Sequence, residues 1–291
     1  MQESKPSRTA ATAAAPRALE SQKPEDSRVC YDPFAQKFLS PSFTLFGETR
    51  VPKFLANWMY NRILPGFFGY TVARTRHIDE ILIKCIKNGL EQLVILGAGF
   101  DSRAYRYVQL EMKTKVFEVD HPATQQIKLN KLKEILGSLP KHVFYVPIDF
   151  AEQNLKKQLI ESGFEANLNT LFIWEGVTYY LKPEEINITL SFVVDNSQSG
   201  SSIIFDYAHS SVVDGTCVHK EAKMFSKGAE SYGEPLHFGI MEGSIERFLK
   251  QRGFGQINNV TSEWLKQHYF TGINKNRRIT PIFEIVQATV Q

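Results

Sequence analysis

A chain of 291 residues, 43% hydrophobic and 22% charged, has the apolar mass for one large α/β domain or two small ones. Its net charge of +3, with lysines and arginines spread along the chain, leaves no electrostatic footprint for nucleic acid. Three scattered cysteines, Cys30, Cys85 and Cys217, argue against a disulfide framework, show no metal-ligand spacing, and fit reduced thiols in a cytoplasmic protein.

In chain order, residues 1–24 hold an Ala-rich patch but no apolar core of a secretory signal, and are expected to be a disordered tail. Residues 25–90 read as an N-terminal helical lid. Short helices are expected within 30–39 and 51–63, and a longer one over 70–88. In that longer helix Ile78, Ile81, Leu82, Cys85 and Ile86 form an apolar stripe before Gly89. The stretch 51–70 comes nearest to a membrane span, but Lys53, Asn57, Asn61, Arg62 and Pro65 interrupt it, so no membrane association is expected.

Residues 91–207 then alternate strand and helix. Strands are predicted at 93–96, 115–119, 143–148, 171–174 and 203–205, and helices at 122–137, 151–162 and 183–197. Residues 208–243 are too long for a plain connection and read as a second lid piece. From 244 onward come an amphipathic helix, a weak strand near 257–260 and a strong final strand. The pattern predicts one α/β domain over 25–291. Its seven-stranded sheet is mostly parallel, with the last strand inserted antiparallel.

The stretch LVILGAGFDSRAYR (93–106) holds a buried strand, a glycine turn at Gly97 and Gly99, and a helix start. A dinucleotide site would place a third glycine where Ser102 stands, and Asp101 would repel a pyrophosphate. Asp101 suits a ligand with a positive amino group. Asp120 ends the second strand, 23 positions after Gly97, at the spacing from which a carboxylate reaches ribose hydroxyls. Asp149 ends the third strand, where it can accept from an adenine amine while Phe150 contacts the ring. Glu175 ends the fourth. Three carboxylates around one crevice are costly without a polyhydroxylated or cationic guest. S-adenosyl-L-methionine fits that description, having an ammonium, a sulfonium, a ribose and no phosphate.

These motifs resemble the leucine carboxyl methyltransferase family, in particular its bacterial branch of S-adenosyl-L-methionine-dependent methyltransferases. The matching stretches are RALESQKPEDSRVCYDPFAQKFL (17–39), ARTRHIDE (73–80), VILGAGFDSRAYR (94–106), FEVDHP (117–122), PIDF (147–150), WEGVTYYL (174–181) and the late RFLKQRGFG. The resemblance implies a class I methyltransferase-like (Rossmann-like) fold with a helical lid and S-adenosyl-L-methionine as cofactor. It implies that Arg76 binds the cofactor carboxylate, with Arg74 the neighbouring alternative. It further implies Gly97 and Gly99 under the methionine end, Asp120 on the ribose, Asp149 and Phe150 at the adenine, and Glu175 near the ammonium. Arg103 and Arg106 are expected to pair with local carboxylates.

Methyl transfer from a sulfonium is an in-line displacement that needs placement more than acid–base help. A carboxylate acceptor needs no base; a hydroxyl would need one within hydrogen-bond reach. Tyr179, His209 and His237 are the candidates beside substrate, and no metal is expected. The expected activity is O-methylation of a carboxylate or hydroxyl on a small molecule, ahead of a protein C-terminus. An NAD(P)-dependent oxidoreductase and a non-catalytic cofactor-binding protein are the alternatives.

Overall fold

The computed structural model describes residues 8–39, 65–149 and 153–291. Seven strands form one sheet: β1 (Gln92–Leu96), β2 (Lys115–Asp120), β3 (Val143–Pro147), β4 (Thr170–Trp174), β5 (Ser202–Ala208), β6 (Phe254–Thr261) and β7 (Phe283–Val290). Their order is β3-β2-β1-β4-β5-β7-β6. The first five strands are parallel to one another, and β7 runs antiparallel between β5 and β6. Each of the seven strands expected from sequence is present. β1 is central, paired to β2 through Leu93↔Val116 and to β4 through Leu93↔Leu171.

Both faces of the sheet are apolar, which is why β1, β4 and β5 read as unbroken hydrophobic runs. Strand alternation sends Leu93, Ile95, Leu171, Ile173 and Ile204 into one core layer, and Val94, Leu96, Phe172, Trp174 and Ile203 into the other. The first layer is covered by α1 (Arg8–Ser21), α2 (Ala35–Phe38) and α3 (Phe67–Lys87). α4 (Arg103–Arg106) starts the segment after β1, and α5 (Leu110–Lys113) leads into β2. The crossovers α6 (Pro122–Leu136), α7 (Leu155–Glu161) and α8 (Pro183–Asp195) follow. The later helices are α9 (Ser210–Val213), α10 (Lys220–Ser231), α11 (Ile245–Lys250) and α12 (Ser262–Tyr269). The helix expected over 51–63 and the first residues of the one expected over 151–162 lie outside the described residues.

The disordered tail expected through residue 24 does not hold for residues 8–21, which form α1. Alanine is the best helix former, and its small side chain lets a helix approach closely. Ala14, Ala15 and Ala18 are buried, and so are Arg17 and Glu20, because each finds charged partners. Composition alone reads an Ala-rich, Pro-containing stretch as tail; what makes it a helix is the surface it packs on.

α3 is pinned at its start. A Cβ on Gly69 would lie 2.0 Å from the Arg278 carbonyl oxygen, and one on Gly66 would lie 2.5 Å from the Ile279 backbone. The helix therefore begins pressed on the segment that leads into β7, and its length carries charged side chains under the carboxyl ends of the strands.

Candidate functional site

The carboxyl ends of β1, β2, β3 and β4 converge on one crevice. Gly97 sits at φ +65°, and a Cβ there would come within 2.5 Å of Val177 in the loop after β4, so the two loops touch. Across from them Asp120 accepts hydrogen bonds from the backbone N–H groups of Gly99 and His121. Burial raises the Asp120 carboxyl above the ordinary range, against those two donors, which lower it. The expected ribose acid is thus held in place by the glycine loop itself. Asp149 stands at the rim with its side chain 41% exposed, 3.7 Å from His121 Nε2. Phe150 lies outside the described residues.

Glu175 is the hub of a buried ion network. Its Oε1 accepts from Arg74 Nε at 2.9 Å and its Oε2 from Arg103 Nη1 at 2.7 Å. Burial pushes this carboxyl up, and the guanidinium groups of Arg103 and Arg74 more than reverse that, leaving it well below the usual carboxylate range. Arg74 Nη1 also donates to Asp206 Oδ2 at 2.5 Å, and Asp206 Oδ1 accepts from the Gly176 N–H at 2.6 Å. Arg103 Nε donates to Asp79 at 2.8 Å, Arg103 pairs with Asp101, and Arg106 forks onto both Asp79 oxygens at 2.7 Å. Ser102 Oγ extends the network to Asp32, which faces Arg17 at 3.5 Å. Among the described residues Arg103 Nη2 is buried without a hydrogen-bond partner.

Several expectations change here. Arg76 is corrected to a surface residue: its side chain is 51% exposed and pairs with Glu80 one turn along α3, whereas the Arg74 side chain is 2% exposed and lies in the network. Asp101 does not offer a free carboxylate to an ammonium, because it accepts from the Arg103 N–H and guanidinium. Arg103 and Arg106 pair with local carboxylates as expected.

Tyr179 is buried among Tyr180, Phe225 and Phe283, and burial pushes its phenol far up. His209 has a carboxylate on each ring nitrogen, Glu242 at 2.9 Å and Glu284 at 3.2 Å. His237 is exposed and engages Tyr179 only through its backbone N–H. Sequence reasoning missed Asp206, Asp79, Asp32 and Arg17. One signal for Asp206 existed: a lone acid inside the apolar run IIFDYA, on the same strand face as Ile204 and Ala208.

α1 roofs the crevice. A Cβ on Gly99 would meet Ala10 at 3.4 Å, Arg17 Nη2 donates to the Phe100 carbonyl at 2.7 Å, and Thr9 hydrogen-bonds Glu234 in the 208–243 segment. Glycine loop, N-terminal helix and second lid piece therefore meet at one place. The sequence model of leucine carboxyl methyltransferase matches residues 10–194, from this roof helix through α8.

The chain belongs to the leucine carboxyl methyltransferase family.

Among its relatives is YktD of Bacillus subtilis, provisionally named an S-adenosyl-L-methionine-dependent methyltransferase. It is 34% identical over 70% of this chain and 67% of its own length. SCO7813 of Streptomyces coelicolor, named in the same way, is 33% identical over 66% of each chain. The matched stretch thus spans about two thirds of these relatives. The crystal structure of a DUF574 family protein from Streptomyces avermitilis shares the fold, with a TM-score of 0.60 over 96% of this chain and 97% of that one at 12% identity. Membership in a family of S-adenosyl-L-methionine-dependent methyltransferases sets aside the dinucleotide reading of the glycine turn.

Among the described residues no helix is long and apolar enough to cross a membrane. No group of three or more His, Cys, Asp or Glu side chains among them could hold a metal ion.

Proposed function

We propose that this member of the leucine carboxyl methyltransferase family methylates an oxygen of a small-molecule acceptor, a carboxylate before a hydroxyl. The observation that carries the cofactor half of the reading is the charge of the buried network. Among the described residues it joins five carboxylates (Asp32, Asp79, Asp101, Glu175, Asp206) to four guanidinium groups (Arg17, Arg74, Arg103, Arg106). One negative charge is left over, which favours a guest with one net positive charge, as a sulfonium, an ammonium and a carboxylate together give. The unpartnered Arg103 Nη2 fits that guest as well. A buried donor without an acceptor costs about 1–3 kcal/mol, and a ligand carboxylate would relieve it.

When bound, S-adenosyl-L-methionine supplies an electrophilic methyl group. Asp120 would accept from the ribose hydroxyls, Arg103 and Arg74 would hold the carboxylate end around Glu175, and the Gly97–Gly99 backbone would lie beneath it. α1 and the 208–243 segment would exclude water and fix the acceptor in line, which is the main barrier-lowering device for a displacement of this kind. Carboxylate is favoured because it needs no proton removed, whereas a hydroxyl acceptor needs a base within hydrogen-bond reach.

Calorimetric titration with S-adenosylhomocysteine tests the cofactor assignment. The wild-type chain binds, and Asp120→Ala weakens binding at least ten-fold, about 1.4 kcal/mol. Absence of heat with the wild type, or an unchanged affinity in the variant, would refute it.

A further inference from the structure

A second cleft, of about 310 Å³, lies on the same edge of the sheet as the crevice, on the side of β7. Phe283, the first residue of β7, pairs with Ala208, the last of β5, so the segment just before β7 lies at the carboxyl ends of the parallel strands. That segment, with the start of α3, walls the cleft: Gly66 accepts at its carbonyl from the Thr280 N–H at 3.1 Å. Among the described residues Lys266, Lys275, Arg277 and Arg278 line it against one carboxylate, Glu221. Arg277 is taken by Glu20 at 2.7 Å, and Lys266 has Glu263 at 4.0 Å. Lys275 and Arg278 are exposed and make no ion pair among the described residues.

Arg277 and Lys266 have carboxylates of their own, so Lys275 and Arg278 are the two cations that line the cleft without an ion pair among the described residues, and two like charges on one concave surface favour an anion between them. The volume is that of a small-ligand subsite rather than a macromolecular groove. The position ties it to the crevice. α3 runs from Gly66 at the cleft to Arg74 in the ion network, eight residues or about 12 Å at 1.5 Å per residue. One small molecule can span that distance.

We infer that this cleft is an anion subsite for the acceptor, holding a carboxylate or phosphate group remote from the oxygen that is methylated. The acceptor is then an acid with at least two polar ends, one at the methyl and one between Lys275 and Arg278. This rests on the methyl-transfer reading for its role but not for its existence. Lys275 and Arg278 make the direct contacts, and Lys266 and Arg277, each held by its own carboxylate, flank them.

The test is calorimetric, on the full chain, with pyrophosphate and citrate as probes and S-adenosylhomocysteine titrated separately. The wild type is expected to bind at least one of the two anions. Lys275→Gln/Arg278→Gln is expected to bind it at least ten-fold more weakly, with S-adenosylhomocysteine affinity and melting temperature unchanged. Lys157→Gln/Lys250→Gln, which removes two exposed lysines elsewhere, is expected to bind as the wild type does. No anion binding by the wild type overturns the subsite, as does equal binding by the first variant or equal weakening in the second. A wild type that takes the anion but not S-adenosylhomocysteine keeps the subsite and defeats the methyl-transfer reading.

Discussion

Arg74 and Arg76 stand two positions apart on one helix and meet opposite environments. Arg74 is 2% exposed and bound to Glu175 and Asp206, while Arg76 is 51% exposed and bound to Glu80. Arg74→Ala leaves two carboxylates facing a lost cation and is expected to abolish S-adenosylhomocysteine binding and lower stability by about 3–5 kcal/mol. Arg76→Ala removes an exposed helix pair worth about 0.3–0.5 kcal/mol and leaves binding unchanged. Side-by-side titration and chemical denaturation separate the two; loss of binding in Arg76→Ala would restore that residue to the site. The difference was legible in the sequence. Arg74, Ile78 and Leu82 are spaced by four, so Arg74 continues the buried stripe, and Arg76 falls off it. Asp120 and Glu175 were legible because strand ends at the carboxyl edge are few and fixed by topology. The network around Glu175 was not, because Arg74, Arg103 and Asp206 come from three distant segments that only the fold brings together.

At the scale of elements, strand positions follow from apolar runs buried on both faces, and β5 and β6 merely extend further than their apolar cores suggest. What periodicity does not give is how helices dock on one another. α12 packs on α3 through His77, whose Nδ1 lies 3.0 Å from the Tyr269 hydroxyl and whose ring meets Trp264 edge-on at 5.4 Å. Burial lowers the His77 imidazole from 6.5 to about 4, with Glu80 raising it in part and His268 lowering it further. A base depressed on folding binds its proton more readily in the unfolded chain, so stability is full above pH 6.5 and falls as pH drops towards 4. The loss at pH 4 is up to about 3 kcal/mol. His77→Gln is expected to flatten the stability profile between pH 6.5 and 4, measured by urea denaturation across that range. A slope unchanged from the wild type would remove His77 from the account.

The whole molecule is held closed by charges between its first and last elements. Glu20, fully buried in α1, accepts from Lys23 and the Val29 N–H at 2.7 Å and from Arg277 at 2.7 Å, and Arg277 also reaches the Ser27 carbonyl. Glu20→Ala is expected to cost about 2–4 kcal/mol, because it strands a partly buried guanidinium and a backbone donor together. A melting temperature lower by several degrees, with early proteolytic cleavage between residues 8 and 39, is the expected result; a melt like that of the wild type would show that α1 docks without this bond. Composition missed α1 because a helix of alanines with few charges has no signature of its own. Its partners are scattered along the chain, from Asp32 and Phe100 to Glu234 and Arg277.

That distance has a consequence in time. The Glu20–Arg277 bond joins residues 257 positions apart. A ribosome adding ~5–20 residues each second needs roughly 13–50 s between them. Throughout that interval α1 can rest on Asp32, Gly99 and Phe100, but the bond that fixes Glu20 to the far end of the chain is missing. Closure of so long a loop is also slow for entropic reasons. The nascent chain therefore passes through a period in which α1 lies on the glycine loop without its anchor to the segment before β7, and the roof is secured only as the last strand is made.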